Sequence, residues 1–489
     1  MRFFSGSWFS DVPWLHVYVG FSLTIEAFEQ YLNLRQLRRY TSKKKPPSLL
    51  SLWVSEEAYV QANEYNSDKI KLSMVSSLVE SGVSILSTLY FFGPFCWRIA
   101  GTWAGDGEYA RPLVFMAIQR VVSEFICTPF QLYGDFCVEE KHGFNKKTKL
   151  LFIKDKLLGL GLTAAIGAPI LCAVNWLIKW GGANFHFWLW GFSVLMTFGM
   201  IVIYPNLIAP LFNKFQVLRD RELRNKIGAL AEQLKFPLCE VYEMDGSKRS
   251  SHSNAYFYGF WRWKRIVIFD TLLHLPHEQI LAVLGHELGH WGRSHFTQRL
   301  ALVFMNLFVT FYLYGKVMNN DHLYKCFGYG SDAKSPIIGL MLLANILAPY
   351  LICSSSVFEG SMQVNTVLSV LSTLLSRKHE FQADAFACEL NYGEQLKEAL
   401  CTIHTENKST LDPDPWYSWW HYSHPPLLER LSAIDAILTK TQKKDKNDDS
   451  SSKQPKEETE KTTIEGHHES SGVTRARSHR VEPETSSDL

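Results

Sequence analysis

The stretch AVLGHELGHWGRSH, residues 282–295, contains two histidines four residues apart, His286 and His290, with Glu287 directly after the first. Side chains at i and i+4 project from one face of a helix, so these two imidazoles can bind one ion. A catalytic zinc takes three protein ligands and a water, and a carboxylate beside it can accept a proton from that water. The apolar run before the motif predicts a buried helix, where unpaired imidazoles are costly. The pattern therefore favours a zinc site over a helix with surface histidines.

A third ligand is predicted in the segment SRKHEFQADAFA, residues 376–387. Glu380 and Asp384 are four residues apart, so both lie on one helical face. One carboxylate can bind the metal while the other orients a ligand histidine through its second ring nitrogen. We therefore expect Glu380 to be the third ligand and Asp384 to support it, with His379 as the competing ligand.

Two further segments carry candidate site residues. In GSKRSSHSNAYFYGF, residues 246–260, Asn254 can hydrogen-bond the backbone of an extended peptide, or can be a turn residue. In WWHYSHPPLLERL, His424 precedes two prolines, which restrict the backbone there. Its imidazole can stabilise an oxyanion, or can cap or pack. Arg430, in the following helix, can anchor an acidic side chain. The remaining histidines near these motifs are expected to be structural: His252, His274, His277, His295 and His421.

These residues must be positioned within a chain that looks built for a membrane. Its 489 residues include 15 Trp, 20 Tyr and 32 Phe, a density of aromatics typical of membrane interfaces. Glu26, Glu80 and Glu124 lie within apolar stretches, so they are expected to face a bundle interior or a water-filled cavity. Seven stretches approach the length needed to cross a bilayer as a helix: 14–28, 74–97, 112–132, 157–178, 187–207, 300–317 and 336–358.

The basic residues predict how these spans are oriented. A cluster of arginines and lysines at 35–45 follows the first span and should stay cytosolic, which places the N-terminus in the lumen and the C-terminus in the cytosol. The loop at 138–149, also basic, falls on the cytosolic side. Two spans separate His290 from Glu380, so both lie on the same side of the membrane.

Composition and pattern together predict an all-α polytopic membrane protein with a small β element beside the motif helix. The expected domains are five membrane helices (1–212), a metalloprotease segment (213–298), two membrane helices (299–360), a second metalloprotease segment (361–440) and a disordered polar tail (441–489). The formal charge of +2 argues against a nucleic-acid binder, and nine dispersed cysteines indicate reduced or lipid-buried thiols.

With these motifs together, the chain resembles the type I CAAX prenyl proteases, which are integral-membrane zinc metalloproteases. The resemblance covers roughly residues 10–440. It is carried by EEKHGFN (139–145), GSKRSSHSNAYFYGF (246–260), RIVIFDTLL (265–273), LAVLGHELGHW (281–291), EFQADAFA (380–387) and HYSHPPLLERL (421–431). The segment before the motif helix is shorter than in some animal members, and the tail is longer than in comparable members.

The resemblance implies seven helices forming an α-barrel around a large water-filled chamber, in the endoplasmic reticulum and inner nuclear membranes. It implies one Zn²⁺ and removal of the -aaX tripeptide from farnesylated C-a-a-X proteins. In some members a second upstream cut follows, as for prelamin A or a yeast mating pheromone. By motif position, His286, His290 and Glu380 are the metal ligands and Glu287 the general base. Asn254 and His424 are substrate or transition-state contacts.

Two other functions fit the residues. A membrane quality-control protease would share the zinc site but act on unprenylated or misfolded proteins. An inactive scaffold or receptor would keep zinc for structure, but such a site would have no use for Glu287.

Overall fold

The computed structural model describes residues 12–260, 262–330, 333–351 and 367–451. Most of these residues are helical. The helices are α1 (Trp14–Ser42), α2 (Glu56–Leu89), α3 (Phe92–Ala104), α4 (Ala110–Tyr133), α5 (Lys149–Trp180), α6 (Phe185–Ile203), α7 (Ala209–Phe212), α8 (Arg221–Gln233), α9 (His277–Gly292), α10 (His295–Val317), α11 (Asp321–Cys326), α12 (Pro336–Leu351), α13 (Val367–Glu389), α14 (Gly393–Glu406), α15 (Pro415–His421) and α16 (Leu427–Ser451).

Five helices within the described residues are long and apolar enough to cross a bilayer, and little of their apolar surface is buried inside the protein. They are Glu56–Leu89, Ala110–Glu139, Lys149–Trp180, Gly182–Phe212 and His295–Val317. This agrees with a polytopic membrane protein, but the predicted number of seven is not confirmed. The predicted first span lies within α1, which is not among the five. The predicted seventh, 336–358, is described to Leu351, and its last residues lie outside the described part.

One predicted span is wrong in its bounds. The stretch 74–97 was expected to be continuous, but α2 ends at Leu89 and α3 begins at Phe92. Phe91 between them has a left-handed backbone, with φ of 53°. An apolar side chain is compatible with a sharp turn as well as with a helix. A prediction from hydropathy alone therefore merged α2 and α3 into one span.

Two of the acidic residues inside the spans have polar partners on their own helix and on a neighbouring one. The Glu26 carboxylate is buried and accepts hydrogen bonds from Gln30, Ser77 and Ser81. Glu124 pairs with Arg120 and Lys156. Since an unpaired charge is expensive within hydrocarbon, these contacts fit the prediction that such residues face the protein interior.

A four-stranded sheet lies between α7 and α9 in the sequence, with strands in the order β1-β2-β4-β3. The strands are β1 (Phe215–Val217), β2 (Leu238–Met244), β3 (Ala255–Phe260) and β4 (Trp263–Phe269). Strands β2 and β4 are parallel, whereas β3 pairs with β4 antiparallel and lies at the edge of the sheet. Ile266, Ile268 and Ala255 pack with Leu284 and Leu288 of α9, so the sheet supports the motif helix.

Helix α9 is held on its other side by α13 and α14. The closest approach is at Gly289, where an added Cβ would lie 3.0 Å from Cβ of Phe386 and 3.1 Å from Cα of Ala383. The absence of a side chain at this position allows α9 and α13 to approach closely, which places the two sequence motifs side by side.

The internal contacts divide the chain into residues 1–440 and 441–489. Helix α16 extends to Ser451, past the start of the tail that was predicted to be disordered. The remainder of that tail, 452–489, lies outside the described residues.

Candidate metal centre

Helices α9 and α13 bring three potential metal ligands together. The Nε2 atoms of His286 and His290 are 3.3 Å apart. Oε2 of Glu380 lies 3.5 Å from Nε2 of His286, and Oε1 of Glu380 lies 3.4 Å from Nε2 of His290. Ligand atoms at ~2.0–2.1 Å from a tetrahedral zinc are separated by roughly 3.3–3.4 Å. The donor atoms of this cluster therefore have the spacing that one zinc ion requires.

The Glu380 carboxylate is buried, with a relative exposure of 1%. Its Oε2 atom accepts no hydrogen bond from the described residues. Burial by itself raises the pKa of this acid, but the neighbouring His286 and His424 imidazoles outweigh burial and hold the pKa well below its usual range. A buried, ionised carboxylate with an unsatisfied oxygen facing two imidazoles is suited to bind a cation.

His286 is oriented by a buried carboxylate behind it. Its Nδ1 atom is 2.8 Å from Oδ1 of Asp384, and Arg430 donates to both Asp384 oxygens, at 2.8 and 2.6 Å. Burial by itself raises the pKa of Asp384, but the Arg430 guanidinium outweighs it and lowers that pKa to about 2. A carboxylate on Nδ1 of a ligand histidine leaves Nε2 for the metal. Asp384 and Arg430 thus lie behind the candidate ligand His286.

Burial and the neighbouring charges determine the protonation of the two imidazoles. Burial disfavours charge on His286, but Asp384 and Glu380 outweigh it and raise the pKa of His286 to about 9. Burial and the neighbouring His286 lower the pKa of His290 to about 3. Since zinc binds neutral imidazole, an ion would take the place of the proton on His286.

His290 is oriented by a residue that the sequence did not identify. Its Nδ1 atom is 3.0 Å from Nδ1 of His295, whose Nε2 atom is 3.0 Å from Oε1 of Gln382. Because the Gln382 oxygen accepts, His295 carries its proton on Nε2 and accepts the Nδ1–H of His290. The lone pair on Nε2 of His290 then faces the centre. His295 follows the motif by five residues, so it does not share its helical face, and no spacing rule singles it out.

The alternative ligand His379 is not among the converging donors in the described residues. Its ring stacks on His295, with 3.9 Å between ring centroids, and its Nε2 atom is 3.1 Å from Gln298. His379 therefore lies behind the residue that orients His290, and not at the centre.

Glu287 lies on α9 directly after the first candidate ligand and is half-buried. Burial raises the pKa of its carboxyl group; the Glu380 charge adds to this effect and the His286 charge opposes it. A carboxylate with a raised pKa is a better proton acceptor, as a general base requires.

His424 is brought to the same centre from the segment between α15 and α16. Its Nδ1 atom is 2.8 Å from Oε2 of Glu380, although their directions do not meet hydrogen-bond geometry. The side chain is 65% exposed, while Pro425 and Pro426 behind it are buried. This arrangement gives an accessible imidazole on a fixed backbone beside the candidate ligands.

Asn254 is exposed and lies directly before edge strand β3. Its Oδ1 atom accepts the backbone N–H of Ala255 at 2.8 Å, and its backbone carbonyl accepts the N–H of Phe269. The structure therefore places Asn254 at the beginning of an unpaired strand edge that packs on α9, but gives it no direct contact with the three candidate ligands.

Comparisons with known proteins agree with this geometry. Residues 36–214 match the family described as CAAX prenyl protease N-terminal, five membrane helices, and residues 217–438 match peptidase family M48. The chain is 39% identical to CAAX prenyl protease 1 homolog from Arabidopsis thaliana, over 88% of this chain and 99% of that protein. It is 35% identical to CAAX prenyl protease 1 homolog from Homo sapiens, over 85% and 94% of the two chains.

A solved structure is also similar. The crystal structure of S. mikatae Ste24p matches with a TM-score of 0.80 and 35% identity, covering 87% of this chain and 99% of that one. Both halves of the chain, the membrane helices and the segment with the metal centre, are thus accounted for by one family. The chain belongs to the CAAX prenyl protease family of M48 peptidases and is a multi-pass membrane metalloprotease.

Proposed function

We propose that this protein is a zinc-dependent endopeptidase that removes the C-terminal -aaX tripeptide from farnesylated C-a-a-X proteins. The observation that carries the proposal is the convergence of His286, His290 and Glu380 in a membrane protein of this family. The same proposal includes a second, upstream cleavage of the substrate. It also includes seven spans around a chamber, and residence in the endoplasmic reticulum and inner nuclear membranes.

His286, His290 and Glu380 would hold the metal, since their donor atoms have the required spacing. A bound zinc ion would lower the pKa of a coordinated water and polarise the scissile carbonyl. Asp384, through Arg430, and His295, through Gln382, fix the two imidazoles so that each presents Nε2 to the centre.

Glu287 accepts a proton from the attacking water and returns it to the leaving amine. Its raised pKa suits both steps, because the group must take up the proton and then release it. His424, exposed beside Glu380, donates a hydrogen bond to the oxyanion that develops on the carbonyl.

The substrate backbone adds to the free edge of β3, with Asn254 holding one of its peptide groups. Strand β3 packs on α9, so a peptide on this edge lies alongside the motif helix. The prenyl group keeps the substrate in the bilayer, because each buried CH₂ contributes ~0.8 kcal/mol, and the substrate arrives laterally between membrane helices.

The Glu287→Gln variant tests this mechanism. It should abolish cleavage of a farnesylated C-a-a-X peptide while the purified protein retains about one zinc per chain, since Glu287 is not a ligand. Glu278→Gln is the matched control, because Glu278 lies on the same helix but pairs with Lys226 at the surface. Substantial activity of Glu287→Gln would contradict the assigned base.

An unprenylated twin of the same peptide tests the substrate class. We expect the farnesylated peptide to be cleaved much faster by the wild-type protein in detergent or vesicles. Equal rates would contradict the prenyl requirement and favour a quality-control protease instead.

A further inference from the structure

An open pocket of about 460 Å³ lies at the amino end of edge strand β3, beside Asn254. Its wall includes two lysines, Lys69 of α2 and Lys408 after α14, together with His252. Helix α14 packs directly on motif helix α9. The pocket thus lies between α2 and the two metalloprotease segments, and none of its lining residues is a candidate metal ligand.

The two lysines have neutral partners. Nζ of Lys69 is 3.3 Å from the Tyr65 hydroxyl and 4.8 Å above its ring. Nζ of Lys408 donates to the His142 carbonyl at 3.1 Å and lies 5.4 Å from the Phe144 ring centroid. Among the described residues, neither forms an ion pair with a carboxylate.

Glu139 is the acid that faces this region, but its carboxylate is engaged elsewhere. It accepts the Tyr65 hydroxyl at 2.7 Å and lies 3.5 Å from Nε2 of His252. The Nδ1 atom of His252 is 3.3 Å from the side-chain oxygen of Asn407, Oδ1. Glu139 also interacts electrostatically with Lys69, through the Tyr65 hydroxyl that lies between them. The pocket therefore offers two ammonium groups without a direct carboxylate partner among the described residues, which is the electrostatic character of an anion site.

Lys408 occupies a backbone position that normally favours glycine. The end of α14 is closed by hydrogen bonds from Ser409 N to His404 O and from Lys408 N to Thr405 O, the Schellman arrangement. Lys408 has φ of 47°, a left-handed conformation that L-residues with a Cβ rarely adopt. The Asn66 side chain donates to the Lys408 carbonyl at 2.7 Å and holds this turn against α2. A long cationic side chain is therefore held at the pocket in a strained conformation.

Strand direction indicates which anion would reach the pocket. A peptide that pairs antiparallel with β3 has its carboxyl end at the amino end of β3, next to Asn254 and the pocket. Three residues follow the scissile bond in a C-a-a-X protein, and they span at most about 10–11 Å when extended. The α-carboxylate is the negatively charged group at this end of such a peptide, and it would be the group that meets the lysines.

We propose that this pocket binds the terminal carboxylate of the substrate through Lys69 and Lys408, an inference that rests on the proposed function. Binding the carboxylate fixes the number of residues between the chain end and the metal centre. The pocket thereby acts as a specificity site for the -aaX cut, which is the one made three residues from a free chain terminus.

The test compares two farnesylated C-a-a-X peptides, one with a free C-terminal carboxylate and one with a carboxamide. The full-length protein in detergent should show a KM about tenfold or more lower for the acid, because a charge-assisted contact is lost with the amide. Lys408→Gly and Lys69→Met should raise KM for the acid to near that of the amide, and leave the amide KM and kcat little changed. Lys408→Arg should retain the preference.

Lys235→Gly is the matched control. Lys235 also has a left-handed backbone, with φ of 55°, after the end of α8, and it is exposed and outside the pocket. Its replacement removes the same charge in the same backbone setting and should leave the acid preference intact.

Equal KM values for acid and amide in the wild type would overturn the inference while leaving the proposed function standing. The inference would also be overturned if Lys408→Gly impaired cleavage of the acid and the amide equally. If that impairment varied with the anionic lipid content of vesicles, the pocket would bind a lipid headgroup instead. Cleavage of neither peptide by the wild type would overturn the proposed function, and this inference with it.

Discussion

His295 is the residue whose role depends most on the fold, and its replacement gives a prediction at the residue scale. His295→Phe keeps a ring to stack on His379 but removes the acceptor for Nδ1 of His290. We expect zinc affinity to fall about 10–100-fold, the usual effect of losing a hydrogen bond behind a ligand histidine. Competition with a chelator of known affinity measures this change.

The control for this variant is His274→Phe, since His274 is half exposed and pairs with Glu406. That variant should bind zinc as the wild type does. An unchanged zinc affinity in His295→Phe would show that the tautomer of His290 is determined without His295.

The sequence predicts one part of this centre and not the other, for a physical reason. His286 with His290, and Glu380 with Asp384, are separated by four residues, and helix geometry alone places each pair on one face. His295 approaches His290 because Ser294 adopts a left-handed conformation, with φ of 57°, between α9 and α10. Serine has no strong preference for that conformation, so this approach could not be read from residue types.

At the scale of elements, the contact between α9 and α13 determines whether the ligands meet. Gly289→Ala places a methyl group 3.0 Å from Phe386 Cβ and 3.1 Å from the Ala383 backbone. The helices must separate by a few tenths of an ångström, and Asp384 and Glu380 move with α13. We expect destabilisation of about 1–3 kcal/mol, as for other overpacked cores, together with reduced zinc content.

Gly285→Ala is the matched substitution one turn earlier on α9. An added Cβ there has its nearest neighbour at 3.5 Å, an ordinary contact, and alanine favours the helix by roughly 0.5–1 kcal/mol. Thermal unfolding and metal analysis of both variants test the difference. Equal stability and zinc content in the two would contradict a limiting contact at Gly289.

The elements themselves were predictable to different degrees. Helix α9 and the edge strand β3 followed from apolar periodicity and β-type residues, and both are present. Hydropathy alone misses the break at Phe91, because the residues on both sides of it are apolar, although the pair Gly93–Pro94 directly after it is typical of turns. Hydropathy is a property of the side chain and does not depend on the backbone conformation. An apolar stretch therefore identifies membrane residence better than it identifies helix ends.

At the scale of the whole molecule, α1 is tied to the segment that carries His424. Arg35 donates to both carboxylate oxygens of Asp414, at 3.2 and 2.9 Å, and Asp414 also caps α15. At the far end of α15, Glu29 accepts from Trp420 Nε1 at 2.6 Å and lies 3.1 Å from His421. Since His424 follows His421 by three residues, these contacts fix the direction from which it reaches Glu380.

Asp414→Asn tests whether this long-range link positions His424. Asparagine caps a helix as well as aspartate does, so the substitution removes the charge pair with Arg35 and keeps α15 intact. Because Arg35 is one-third exposed and its charge is screened by water, we expect only a small loss of stability. We also expect kcat to fall roughly fivefold or more as His424 loses its place, with zinc content unchanged because Asp414 contacts none of the candidate ligands.

Asp435→Asn provides the comparison, because Asp435 forms its ion pair with Lys397 of α14 and not with α1. That variant should retain wild-type kcat. If Asp414→Asn retained it too, α1 would not position His424. If Asp414→Asn instead lost zinc, the link would support the metal centre as a whole. A selective loss of kcat with the metal in place is the outcome that would tie a membrane helix to the position of one imidazole.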